Sequence, residues 1–554
     1  MNEAYQRLRD DLPARRAPDG ASFPTDPRRL KTWVEALPRA NQQATLRQLS
    51  EALASLRGLR LDGPQRLLAM ETLRPSVLDG VGLLDKLLQG TTFPLPPGKA
   101  QIAEQIQAFQ RELALGYRLA LVELCAPNGS VPFLKGAQAS LALERALYHA
   151  ARDLAASYFL YRTPGEGVWR GLNAVYRFGQ QLKLEDKPVE EPAERAALTP
   201  HQVYAQALLL ALSNPYRFTQ REQAELWPLT RDLAAHVELS RRRPTDDAFA
   251  VAQDEDRGPG YLPEEREGAG AAVLWMGLRP LRDALEGPLA AEAGGPVHIR
   301  FRQGHTVIAS SELLRRLRAG WGTAAARRNQ RLGAGHALDT VIGLSGLHYY
   351  LAGHKDFDTF MRHVRNSGGT AESGGDRAAW TQQGDAVRIP LSRARVLDQS
   401  LGGYHLAWPH EGVLRARVGE LVGVSIASDD DERDWMVGVI RWLRYDPQGE
   451  VDAGIELLAR RAEAVGLRSL DAHGAPKPPL RAIQIDCLRP HANGALHFLA
   501  PSVLDAGAPR LEVARAPEED DFEELGVPVT TCSDILVLEN AGDYLLLAAH
   551  PSGH

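Results

Sequence analysis

With 554 residues the chain is too long for one hydrophobic core, so about two to four domains are expected. Its 64 Lys and Arg against 70 Asp and Glu give a net charge of −6. That excludes a generic nucleic-acid binder, which needs an excess of cations to displace counterions, so any anion site here must be local.

The opening Met1-Asn-Glu-Ala-Tyr-Gln-Arg has no apolar leader, and runs such as 207–212 fall far short of the roughly 20 residues a membrane span needs. Cys125, Cys487 and Cys532 stand far apart with no C-x-x-C, against a disulfide framework or zinc ribbon. The expectation is a cytoplasmic chain without a membrane span.

The first half reads as helical. Asp26-Pro27 is an N-cap with proline at the first helical position, and Leu30, Trp33, Val34 and Leu37 follow on one face. Leu46, Leu49, Leu53 and Leu56 mark a second helix ending near Gly58. Ile102, Ile106, Phe109 and Leu113 mark a third, and Leu143 to Tyr161 a fourth. Thr199-Pro200 opens another, and Thr219 with Glu222 has capping-box spacing. No fixed repeat period is present, so residues 1–250 read as a helical domain, either a bundle or an irregular solenoid.

Residues 251–320 read as a connecting α/β segment, with a strand at Val297, Ile299 and Phe301 and a short helix around Leu313–Leu317. Beyond Arg331 the period becomes two. Strands are expected at 338–347, 394–397, 404–408, 418–426, 435–443 and 451–458, the texture of an antiparallel barrel over 321–470. A piece at about 353–383, with a short helix at Phe357, Phe360, Met361 and Val364 and a Gly/Ser-rich run, reads as an insertion. Asp471–Pro479 reads as a linker to a small β unit at 480–554.

The candidate site lies in Asp398-Gln-Ser-Leu-Gly-Gly403, a polar turn between two strands, with Arg327, Arg328 and Arg331 upstream. Arg-x-x-x-Arg followed by Asp-x-Ser-x-x-Gly resembles the paired signature of the PilZ domain. Trp435–Trp442 and Asp452–Leu458 are similar to two later strands of that family. The resemblance covers about 325–470. It departs in spacing, since 67 positions separate Arg331 from Asp398 where the family has a few tens.

The resemblance implies the fold class: an α+β multidomain chain, mainly helical at the N-terminus, followed by a PilZ-like β-barrel and a small C-terminal β unit. It also implies the ligand, cyclic di-GMP, with no other cofactor and no metal. Arginine forks suit such a ligand, because they donate in pairs to phosphate or guanine O6/N7 and stack on bases. Asp398 can accept from guanine N–H groups and Ser400 can bond phosphate or cap the turn. Gly402 and Gly403 allow positive φ and close approach. The expected role is a receptor and not an enzyme, coupling the ligand to a protein partner through the helical region, with motility, pili, exopolysaccharide or virulence as output. A barrel that binds only protein, as a scaffold, is the alternative.

Other chemistry is weaker. His348 and His354 near Asp356 and Asp358 read as a strand-end histidine with surface acids, and the Trp169, Leu172, Tyr176 stripe reads as core. No P-loop, dinucleotide fingerprint or hydrolase elbow is present.

Overall fold

A computed structural model describes residues 3–19, 22–91, 93–244, 249–261, 272–291, 296–300, 306–322, 331–366, 389–409, 416–426, 433–445, 450–491, 494–516 and 529–552. The chain divides into two compact units, one of Met1–Thr91 and Leu95–Ala326, the other of Thr92–Pro94 and Arg327–His554.

The first unit is helical, with α1 (Glu3–Asp10), α2 (Pro27–Glu35), α3 (Gln42–Arg57), α4 (Gly63–Leu88), α5 (Pro97–Leu124), α6 (Gly136–Phe159), α7 (Val168–Gln181), α8 (Pro200–Leu212) and α9 (Gln220–Leu233). The caps act as the sequence suggests. Asp26 accepts from the Arg28 and Arg29 amides, and Thr219 and Glu222 close a capping box. Helix α4 escapes a periodicity reading. It carries Pro75, and its leucines are spread around the axis, with Leu67 and Leu73 buried but Leu68, Leu83 and Leu87 about half exposed. The Trp169, Leu172, Tyr176 stripe is buried, as core packing requires.

The centre of this unit is ionic. Arg74 donates to His149 Nε2 at 2.9 Å and to Glu191 at 2.6 Å, and Arg145 bonds Glu144 at 2.6 Å and Glu191 at 2.7 Å. Burial pushes the Glu144 carboxyl up to about 8. A four-stranded sheet, a hairpin (Pro296–Arg300 with Thr306–Ser310), α10 (Arg279–Ala291) and α11 (Ser311–Gly320) complete the unit.

The second unit is built on β1 (Ala337–Ile342), β2 (Ser392–Ser400), β3 (Gly403–Trp408), β4 (Leu421–Ile426), β5 (Met436–Tyr445) and β6 (Val451–Leu470). It continues with β7 (Leu480–Cys487), β8 (Leu496–Pro501), β9 (Arg510–Arg515), β10 (Val529–Asn540) and β11 (Tyr544–Pro551). All pairings are antiparallel. They close a ring of six in the order β1-β2-β3-β6-β5-β4. They then close a second ring in the order β6-β7-β8-β11-β10-β9. With its strands counted in chain order, each ring runs 1-2-3-6-5-4. The small C-terminal β unit is therefore a second barrel of the same topology.

The 20-residue strand β6 serves both rings, closing the first and opening the second, with a register shift between Ala459 and Ala462 where it passes from one to the other. Asp471–Pro479, expected as a linker, is the connection of the β6–β7 hairpin: Asp471 N–H bonds Ala475 O and Lys477 N–H bonds Ser469 O. Phe498, Leu511, Val513, Leu545 and Leu547 fill the second ring. Leu421, Val437 and Val439 of the first ring pack with Ile483, Ile485, Leu499 and Leu546 of the second. Residues 544–549 are buried on both faces, which is why they read as an unbroken apolar run.

The strand expected over 338–347 stops at Ile342. Gly343, at φ +87°, turns the chain into α12 (Leu344–Leu351), whose first bond runs from Leu347 N–H to Gly343 O. Leu347 inserts into the core between the rings, and α13 (Phe357–Asn366) supplies Phe360, Met361 and Val364 beside Ala464 of β6. His348 is thus not at a strand end. It is 2% exposed inside α12, edge-on to Phe357 and Phe360, and burial lowers its pKa to about 4.

Candidate ligand-binding site

The turn between β2 and β3 is tighter than its sequence suggests. Ser400 pairs with Gly403, so only Leu401 and Gly402 form the bend, and Asp398 lies on β2 itself, opposite His405. Ser400 Oγ accepts from the Gly402 amide at 3.3 Å, capping the bend. The Gly402 carbonyl accepts from Leu457 N–H at 2.9 Å, tying the bend to β6. Gly402 is not among the glycines with positive φ. Gly403 is buried, and a Cβ there would lie 1.9 Å from the Ile455 carbonyl oxygen, so the glycine is required by the close pairing of β3 with β6. Leu401, at the tip, is 77% exposed.

Arg331 reaches this turn through a two-residue strand. Leu332 and Gly333 pair with Gln399 and Asp398, which carries Arg331 alongside β2. Its Nη1 is 2.7 Å from Asp398 Oδ1, so residues 67 positions apart become one ion pair. The pair is partly exposed and contributes little to stability by itself; its value is positional. Arg327 and Arg328 lie outside the described residues.

The outer face beyond Asp398 holds groups that motif reading did not pick out. His405 Nδ1 lies 3.2 Å from the other Asp398 oxygen, and its Nε2 is 4.0 Å from Asp452. Asp452 also binds Arg444 at 3.2 Å. The Trp442 ring stands 5.1 Å from that of His405 and covers Gly454, where a Cβ would fall 1.8 Å from the indole nitrogen. The row presents carboxylate, imidazole, indole and guanidinium beside a backbone stripped of side chains. These residues alternate along β3, β5 and β6, the period-two signal that could have marked them, but only register brings them together. Among the described residues no group of three His, Cys, Asp or Glu could hold a metal ion, the His348 region included.

The comparisons with known proteins fit this geometry. Residues 248–389 and 370–464 match the family described as "Cyclic-di-GMP receptor FimW, middle PilZ domain". This chain carries a PilZ domain. Residues 28–245 match the N-terminal domain of the same receptor family. The chain is 26% identical over 508 residues to the cyclic-di-GMP receptor FimW of Pseudomonas aeruginosa, covering 83% of this chain and 82% of the relative. No solved structure matches. The PilZ match ends inside β6, so the second ring lies beyond it. No helix among the described residues is long and apolar enough to cross a membrane.

Proposed function

We propose that this chain is a cyclic di-GMP receptor whose site is formed by Arg327, Arg328, Arg331, Asp398, Ser400, Gly402 and Gly403 on the outer face of the first ring. The observation that carries this reading is the Arg331–Asp398 contact at 2.7 Å beside a glycine turn. That is a guanidinium and a carboxylate held together at a tight turn. The similarity to a protein named as a cyclic-di-GMP receptor supports the same ligand.

In this reading one nitrogen of Arg331 rests on Asp398 while the rest of the fork donates to a ligand phosphate or guanine edge. Asp398 keeps its second oxygen for guanine N–H groups, shared with His405. The arginine segment is also the stretch of chain between the helical unit and β1. Fixing it around a ligand is therefore the route by which binding reaches the helical unit, the output or partner-docking module. A ligand can bias that output only by its difference in affinity between the two states.

Calorimetry on the purified full chain tests the reading. The expected result is saturable heat with cyclic di-GMP, with affinity lowered about tenfold or more in Arg331→Ala and in Asp398→Ala, the scale of one charge-assisted bond. Absence of heat, together with an unchanged melting temperature at excess ligand, would sink it.

A further inference from the structure

The second ring has the strand order of the first but not its signature; residues 488–495 stand where Leu401 and Gly402 stand in the first. That connection runs alongside β6, Leu488 N–H bonding Leu458 O, and carries Arg489, which reaches the part of β6 that lies in the first ring. Its Nη1 is 2.9 Å from Glu456 Oε1. Glu456 is the residue of β6 directly opposite Gly403. Opposed residues of an antiparallel pair project to the same face, about 5 Å apart. The Glu456 carboxylate therefore stands at the end of the β2–β3 bend, beside the proposed site.

A bare carboxylate there would repel a phosphate. Two guanidiniums neutralise it. Arg441 Nε binds Glu456 Oε2 at 2.7 Å, and its other two nitrogens bind both oxygens of Glu539 of the second ring, at 2.7 and 2.9 Å. Arg441 is thereby held on all three nitrogens. Arg489 spends one nitrogen on Glu456 and its side chain is 67% exposed, so its fork retains donors for an incoming anion.

We propose that Arg489, carried by the second ring, is a ligand-contacting residue of the site on the first ring and donates to a phosphodiester oxygen of the ligand seated at the β2–β3 bend. The inference rests on the cyclic di-GMP reading. It extends the binding surface past residue 464, where the PilZ match ends, and makes the first ring's site incomplete without its neighbour.

Calorimetry with cyclic di-GMP on the full chain, at low and at high salt, tests the inference. Arg489→Ala is expected to weaken binding about tenfold or more and to reduce the salt dependence, with Arg489→Lys intermediate. Glu456→Gln separates contact from mere support. If Arg489 touches the ligand, removing the competing carboxylate leaves affinity equal or higher; if Arg489 only braces the network, Glu456→Gln weakens binding as Arg489→Ala does. Arg468→Ala, which breaks the pair with Glu512 within the second ring, is the neutral control. A wild-type affinity in Arg489→Ala overturns the inference, and so does parallel loss in Glu456→Gln. Absence of binding in the unmutated chain instead overturns the cyclic di-GMP reading itself.

Discussion

The two rings of the second unit share a topology and a strand, yet only one carries the Asp-x-Ser-x-x-Gly bend. In the first, Ser400 and Gly403 pair directly across a two-residue bend, and a short strand brings Arg331 to Asp398. In the second, the corresponding connection is 488–495, and its Arg489 contacts Glu456 on the part of β6 that lies in the first ring. Strand order therefore decides where a surface lies, and the length and side chains of one connection decide what it can hold.

The sharpest way to break this comparison is to add a methyl group at each connection. Gly403→Ala would drive Cβ to 1.9 Å from the Ile455 carbonyl oxygen, a backbone atom that cannot move aside without opening the β3–β6 pairing. A loss of about 3 kcal/mol or more is expected in urea unfolding, with loss of ligand binding. Gly494→Ala, at φ +79° but with no atom within 4 Å, should cost only about 1 kcal/mol. Equal costs would show that the first connection is not the tighter one.

The next effect is in the junction that holds the rings together. His348 is buried where α12, α13 and β6 meet, near the Arg481 guanidinium, and desolvation lowers its pKa to about 4 from the ordinary 6.5. Between these values the unfolded chain binds more protons than the folded one, so stability falls as pH drops from 6.5 to 4. The contribution is about 3 kcal/mol at full extent. His348→Gln should flatten the pH dependence of the melting temperature in that window. An unchanged slope would place the acid-sensitive groups elsewhere.

How much of this was legible before the structure follows the same contrast. Local signals carried the caps of α2 and α9, the β2–β3 bend and the short helix at Phe357, since each depends on neighbours a few residues away. The barrel strands were readable where one face is solvated. The 544–549 strand falls within the small β unit expected at 480–554, but nothing local says that it closes a ring with β8. Gly343 ends β1 five residues before the apolar pattern does, because one left-handed φ outweighs a run of leucines and valines. Register brings His405 and Asp452 beside Asp398, and a separate connection brings Arg489 beside Glu456; neither is written at those positions.

The smallest expected effect concerns the ionic bridge between the rings. Arg441 spans Glu456 of β6 and Glu539 of β10, and these partners hold its pKa above the ordinary arginine value. The group is about one-third exposed, so solvent screening limits what the bridge adds to stability. Arg441→Ala should lower stability by about 1 kcal/mol, and a double-mutant cycle with Glu539→Gln should return a coupling of about 0.5 kcal/mol or more. The Arg468–Glu512 pair, confined to the second ring, is the reference for an ordinary surface contact. If Arg441 and Arg468 prove equal in cost and Arg441 shows no coupling to Glu539, the apolar core shared through Leu347 and Ile485, and not the charges, is what joins the two rings.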